Sequence, residues 1–484
     1  MSAPSSAPSN TPSSAPSSAP SSAPSSAPSV RTTPGSTQLF FAATQYAAAT
    51  ITAAIRAGLF GPRDGHRRVL VISDTSPSPE LARPLTALPG FERLRTAYDD
   101  VRSWNDFIRP FHPAGWSPRE QDAPLWQRAV RAAWGLGDGP VEIACESVQA
   151  NPSQAVVTIF GESPVHIYAD GLMSYGPTRT RLDQLVGTRI ARLLHLDLVP
   201  GLKPLLLTEF GVAPEIIPTE TFLEVLAEVA DATPDTATGT GASFGGERPA
   251  LLLGQYLSAL SILTVEEEEE LHIRMLRGAV RRGHRRIVFK PHPSAPAQWS
   301  QSLEREAELL GAELTVRSGP VLAEVLYQRL NPALVVACFS TALFTAATFY
   351  GLPVARAGTG LLLERLTPYQ NSNRVPVTIV DALLPPLEED EGAHRPDERL
   401  SGLVAAVGFA MQPQLNPGLR PEAERYLSAH LTPRTQAYFK RRRLTALALP
   451  GGVPPQLAFI PRNATVRKVA RRARSLKNTV KKSA

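Results

Sequence analysis

Short apolar runs rich in Val, Ile and Leu recur along this chain, each followed by a polar turn and then by a longer stretch with apolar residues at helical spacing. Runs this short read as strands buried on both faces, and their alternation with helices predicts parallel sheets joined by right-handed crossovers. In the first half, residues 39–43, 69–74, 141–145, 155–160 and 165–168 read as strands, and 45–57 as a helix closed by Gly58. Residues 80–135, with Trp104, Phe107, Phe111, Trp116, Trp126 and Trp134, read as helices and loops whose rings fill core. In the second half, strands are expected at 250–256, 286–290, 313–316, 334–338 and 375–380, with helices at 265–282, 300–310, 321–329 and 342–350. Glu266 to Glu270 open the first of these helices and suit the positive end of its dipole, which is helix stabilisation and not a metal site. Helices at 398–411 and 421–430 are expected to cross back to the first half.

The pattern divides the chain into six parts. Residues 1–36 carry a proline at every fourth position from Pro4 to Pro28 in a Ser-Ser-Ala-Pro repeat, have nothing to bury, and are expected to be disordered. Two Rossmann-like α/β domains follow, over 37–215 and 249–395, separated at 216–248 by a Pro-, Thr- and Gly-rich linker with a helix at 219–230. Helices over 396–455 pack back on this core, and 456–484 form a basic amphipathic tail.

Composition narrows the setting. A chain of 484 residues is long enough for two cores. Cys145 and Cys338 both lie in apolar runs and read as buried reduced thiols, which points to the cytoplasm. No apolar run reaches the roughly 20 residues that span a bilayer, and no secretory signal opens the chain. The formal net charge is +6, but residues 461–484 hold nine Lys or Arg and no acid, so the rest carries 41 basic against 44 acidic residues, a balance of −3. The globular body is therefore not expected to bind nucleic acid. In the tail, Val466, Val469, Ala470, Ala473, Leu476 and Val480 recur at helical spacing among Arg and Lys. Such a helix suits a peripheral position on an anionic membrane surface, and a solvated basic tail is the alternative.

Ligands of open α/β sheets bind beyond the carboxyl ends of the strands, so the residues there are the candidates for chemistry. Lys290-Pro291-His292-Pro293 follows one strand, with the histidine held between two prolines of fixed φ. Ser340-Thr341 follows another and opens a helical run, where hydroxyls cap the helix and its N–H groups attract an anion. A cationic donor and a phosphate-sized nest on neighbouring strands suggest a nucleotide leaving group. Gln255 lies in the turn after the first strand of this domain. In the first domain, Thr44 and Gln45 follow one strand, and Asp170-Gly171 another, making Asp170 a candidate general base. Taken singly, each has an ordinary structural reading: a turn, a cap, a solvated lysine. Their conjunction at strand ends carries the argument.

Tyr168-Ala169-Asp170-Gly171, Lys290-Pro291-His292-Pro293 and Ser340-Thr341 together resemble the bacterial sialyltransferases, in particular the α-2,8-polysialyltransferase-like family, which carries acidic-acidic-Gly, His-Pro and Ser-Ser or Ser-Thr motifs in this order. The likeness runs from about residue 38 to 384 and includes Gln370-Asn371-Ser372-Asn373-Arg374. It implies a GT-B fold with two domains facing a central cleft, a CMP-sialic acid donor, inversion at the anomeric carbon, and neither metal nor other cofactor. Asp170 would deprotonate the acceptor hydroxyl, His292 would neutralise or protonate the departing phosphate, and Ser340 and Thr341 would contact that phosphate, with Lys290, Pro293 and Gln255 on the donor side. Thr44, Gln45 and Gly171 would face a glycan or glycolipid acceptor. Ala169 departs from the pattern, where a second acid would raise the pKa of Asp170 by like-charge repulsion. Two other readings stand beside this one: a transferase of CDP-activated polyol phosphate, and a non-catalytic scaffold that binds glycans or membrane.

Overall fold

The structure is a computed structural model that describes residues 35–235, 248–292, 295, 299–389 and 399–453. Its first sheet contains seven parallel strands: β1 (Thr37–Ala42), β2 (Arg67–Ile72), β3 (Asp100–Ser103), β4 (Val141–Cys145), β5 (Val165–Ala169), β6 (Ile190–Leu196) and β7 (Pro214–Ile217). They lie in the order β3-β2-β1-β4-β5-β6-β7. The second sheet has β8 (Ala250–Leu253), β9 (Arg286–Lys290), β10 (Glu313–Val316), β11 (Leu334–Ala337) and β12 (Val354–Arg356), in the order β10-β9-β8-β11-β12, again all parallel. Strand order reverses between β1 and β4 in one domain and between β8 and β11 in the other, which places a ligand crevice at each reversal.

The strands form where apolar residues face both ways. Phe40 and Ala42 project into the core shared with the second domain, while Leu39 and Phe41 join a cluster on the opposite face of the first sheet. That outer cluster contains Trp104 and Trp134, with Trp116 and Trp126 packed against it, so the tryptophans do fill core. Cys145 and Cys338 are buried free thiols.

Two expected strands are helices. Residues 155–159 belong to the helix Ser153–Ile159, which Phe160 caps, and residues 375–380 to Arg374–Leu383. Both are buried nearly all round, and a short apolar run such as 375–380 cannot be told from a buried strand by itself; the helical signal of the second lies in Arg374, Thr378 and Asp381, which recur on one face at helical spacing. Strands β3, β6, β7 and β12 had no such apolar run to mark them. β6 carries Arg192 and His195 in the middle of its apolar residues, both buried; Arg192 reaches the Leu59 carbonyl and lies 4.8 Å from the Phe60 ring centre.

The expected linker at 216–248 is largely part of the fold. β7 ends inside it, and the helix Thr219–Asp231 wedges between the domains. Arg56 on the helix Gln45–Arg56 pairs with Glu228, while Arg329 of the second domain donates to the Ala230 carbonyl at 2.8 Å. The helices Leu400–Met411 and Arg420–His430 do return to the first domain: Gly408 packs under Leu205, and the Thr208 hydroxyl donates to Asn416 at 2.9 Å. Pro293 and the tail at 456–484 lie outside the described residues. Among the described residues, no helix is long and apolar enough to cross a membrane.

Candidate active site

The carboxyl ends of the two sheets meet at one junction. At the end of β1, Thr44 caps the helix Gln45–Arg56 by accepting the Ala47 N–H at 3.0 Å, and Gln45 turns inward to donate to the Pro89 carbonyl at 2.6 Å. Gln45 is thus buried and engaged in structure, while Thr44 stays exposed. At the end of β5 the chain continues into Asp170 and Gly171. In the second domain, Ser340 caps the single turn Thr341–Phe344, its hydroxyl accepting the Ala342 N–H at 3.2 Å. That turn runs on as the π-helical segment Thr345–Phe349, a geometry that often marks functional sites. Gln255, after β8, accepts the Phe339 N–H at 2.8 Å and ties the two turns that flank the strand-order reversal.

The acid loop and the hydroxyl loop touch. The Leu172 N–H points to the Thr341 hydroxyl at 3.4 Å, and a Cβ on Gly171 would stand 3.1 Å from that same oxygen. Gly171 has an extended backbone, φ −139°, which any residue adopts, so glycine is required there by the close approach and not by conformation. Gly171→Ala should therefore leave the melting temperature nearly unchanged while pushing the loops apart by a few tenths of an ångström. Turnover is expected to fall about tenfold, because small misplacements of reacting groups are costly. Steady-state kinetics beside a thermal melt would separate the two effects.

Charge is concentrated here. Burial pushes the Asp170 carboxyl up to about 8; Glu146 adds to the rise, Glu324 adds less, and the residue's own backbone N–H opposes it. Glu146 follows β4, in which Cys145 pairs with Ile167, so it stands across from Tyr168. Side chains two apart on a strand share a face, which puts Glu146 and Asp170 on the same side of the sheet. Protein crowding around Glu146 raises its carboxyl too, although it keeps contact with solvent. Ala169 carries no acid, but Glu146 on the neighbouring strand shares a sheet face with Asp170 and its charge raises that carboxyl.

On the second domain, Glu324 is buried and accepts a hydrogen bond from the Thr345 hydroxyl at 2.8 Å. Burial raises its carboxyl, while its backbone N–H, Thr345 and the charge of Lys290 work against the rise. Burial lowers the Lys290 amine, and Glu324 partly restores it. His292 is exposed, with its ring centre 6.1 Å from that of Tyr256. Partial loss of hydration lowers its imidazole below the ordinary value, and the charge of Lys290 lowers it further. Asp170, Gly171 and Thr341 are therefore in one place, and Lys290 links that place electrostatically to His292. Glu146, Glu324 and Tyr46 escaped the sequence reading. Glu146 and Tyr46 carried the signal that finds strand-end residues, Tyr46 directly after Thr44 and Gln45, whereas Glu324 sits in a helix and carried none.

Two doubly wound domains, joined at the carboxyl ends of their strands with the Asp170-Gly171 loop of one against the Thr341 turn of the other, make a two-domain fold of the GT-B type. The chain belongs to the alpha-2,8-polysialyltransferase family, whose model matches residues 38–359. No curated protein matches it. Among solved structures, a putative UDP-N-acetylglucosamine 2-epimerase from Listeria monocytogenes is similar at 14% identity and TM-score 0.40, over 78% of this chain and 97% of that one. A sialyltransferase from Photobacterium damsela is similar at 10% identity and TM-score 0.38, over 71% and 78%. MurG from Acinetobacter baumannii follows at 10% identity and TM-score 0.37, over 83% and 97%. The assignment rests on the family match.

Proposed function

We propose that this protein is an inverting sialyltransferase that moves sialic acid from CMP-sialic acid to a glycan hydroxyl, without a metal or other cofactor. Asp170 takes the proton of the acceptor hydroxyl, whose oxygen attacks the anomeric carbon from the face opposite the nucleotide. The new carbon–oxygen bond forms as the bond to the CMP phosphate breaks, through an oxocarbenium-like state in which leaving-group charge dominates the barrier. Ser340 and Thr341 contact the departing phosphate, His292 neutralises or protonates it, and Lys290 adds positive charge nearby. The contact of the Asp170-Gly171 loop with Thr341 supports this reading, because it brings the loop of the proposed base from one domain against the proposed phosphate-binding turn of the other. The raised Asp170 carboxyl supports it further, since a base that ionises near 8 is far stronger than an ordinary aspartate.

The basic tail pattern supports a cytoplasmic protein held peripherally on the inner face of an anionic membrane, where a surface glycan or glycolipid would be extended. Purified protein given CMP-sialic acid and a panel of sialylated glycans should release CMP and yield products heavier by one or more sialic acids, read by mass spectrometry. CMP released from CDP-glycerol alone would replace this reading with polyol phosphate transfer.

A further inference from the structure

Among the glutamates 266–270 that open the helix Val265–Arg281, Glu268 is fully buried, whereas Glu266 and Glu270 are exposed and Glu267 completes the capping box with Thr264. The helix dipole is served as well by an exposed glutamate, so the dipole does not explain this one. A carboxylate is kept in an interior where it has bonds to make. The two oxygens of Glu268 accept the backbone N–H groups of Leu257 and Ser258, each at 2.8 Å.

The loop it holds follows β8, which lies between β9 and β11 in the second sheet. On the β9 side, the Gly254 N–H donates to the Lys290 carbonyl at 2.9 Å, and the Tyr256 ring centre stands 6.1 Å from that of His292. On the β11 side, Gln255 accepts the Phe339 N–H at 2.8 Å, one residue before Ser340. Residues 254–258 are thus the spacer between Lys290-Pro291-His292 and Ser340-Thr341. We propose that Glu268 is a positioning residue of the donor site, which fixes this loop and, through Gln255, the spacing between the His292 end and the Ser340-Thr341 turn. This rests on the sialyl-transfer reading, in which those two ends share one phosphate. Bonds from backbone N–H groups to a carboxylate are roughly twice as strong as neutral ones, and two of them to adjacent residues hold the loop in both position and tilt. Groups that bind or react need such support, because their placement must hold within about 0.5 Å.

Glu268→Gln keeps the shape and one acceptor oxygen, and sets an amide N–H against one of the two backbone donors. By calorimetric titration its dissociation constant for CMP should rise about tenfold, while that for cytidine, which lacks the phosphate, should not move. Glu270→Gln, exposed on the same helix, should change neither. Gln255→Ala should weaken CMP by a similar factor, and the double variant by no more than either single one, because both break one link. Losses that multiply to about a hundredfold overturn the proposal. So does an unchanged affinity for CMP, or an equal weakening of CMP and cytidine, which would make Glu268 a support of the fold at large. Where Glu268→Gln does not fold, Glu268→Asp, which retracts the same carboxylate by one methylene, should raise the CMP constant several-fold, and an unchanged constant again overturns the proposal. Failure of the unsubstituted protein to bind CMP would remove the donor-site reading itself, an outcome visible without any substitution.

Discussion

On the proposed mechanism, His292→Ala is expected to lower kcat/KM for CMP-sialic acid about a thousandfold near pH 7, within the usual range for loss of a proton donor to a leaving group. Because the ring is exposed, the substitution leaves the melting temperature within about 2 °C. The pH profile separates this role from a passive one. In the proposed mechanism the productive form pairs an ionised Asp170 with a protonated His292. Asp170 holds its proton up to about 8, whereas His292 gives up its own below the ordinary 6.5. In the free enzyme the two therefore titrate in the reverse of the order the chemistry needs, and the productive pair is a minority at every pH. The profile of kcat/KM is a bell whose acid limb reports His292 and whose alkaline limb reports Asp170. Without the imidazole only the carboxylate matters, so the residual activity rises through about pH 8 and stays level. The alkaline decline disappears and the deficit narrows above pH 8. A variant that keeps the bell would show that His292 only supports structure.

The parts of the fold that could be read from sequence were those in which a local pattern and the tertiary environment agree. β1, β2, β4, β5, β8, β9 and β11 are apolar runs buried on both faces, with Gly, Pro or polar residues at their ends. The pattern failed where burial is complete but the element is helical, as at Val375, Val377 and Ile379, and where a strand is polar or contains charge, as at Asp100 or Arg192. The site divides in the same way. Asp170, Lys290, His292, Ser340 and Thr341 follow strands, and strand ends in such sheets point to the crevice whatever the sequence between them. The sequence alone does not say that Gly171 would press against Thr341, since that contact joins residues 170 positions apart. Nor does it say that Glu146 shares a sheet face with Asp170, because only the pairing of β4 with β5 brings them together. Glu324 reaches the junction only through the packing of two domains on the helix Thr219–Asp231.

Asp170→Asn is expected to abolish turnover, by a thousandfold or more, and at the same time to stabilise the protein. The side chain keeps its shape and loses its basicity, so nothing remains to accept the proton of the acceptor hydroxyl. The gain in stability follows from linkage. An aspartate ordinarily loses its proton near 3.8, but this one holds it in the folded state up to about 8. Between those values the folded protein binds a proton that the unfolded chain has released, so stability falls as pH rises, by about 1.4 kcal/mol per unit, and flattens above 8. Asparagine has no proton to lose, and the variant escapes that decline. Its melting temperature should match the parent near pH 4 and exceed it increasingly up to pH 8. Glu146→Gln is the partial version: with the neighbouring charge gone, Asp170 ionises at lower pH, the alkaline limb of the kinetic bell moves toward acid, and catalysis survives. Turnover that persisted in Asp170→Asn and vanished in Glu146→Gln would transfer the role of base from β5 to β4. An inactive but more stable protein is the result expected when a carboxylate is held, against its own solvation, where a reaction needs it.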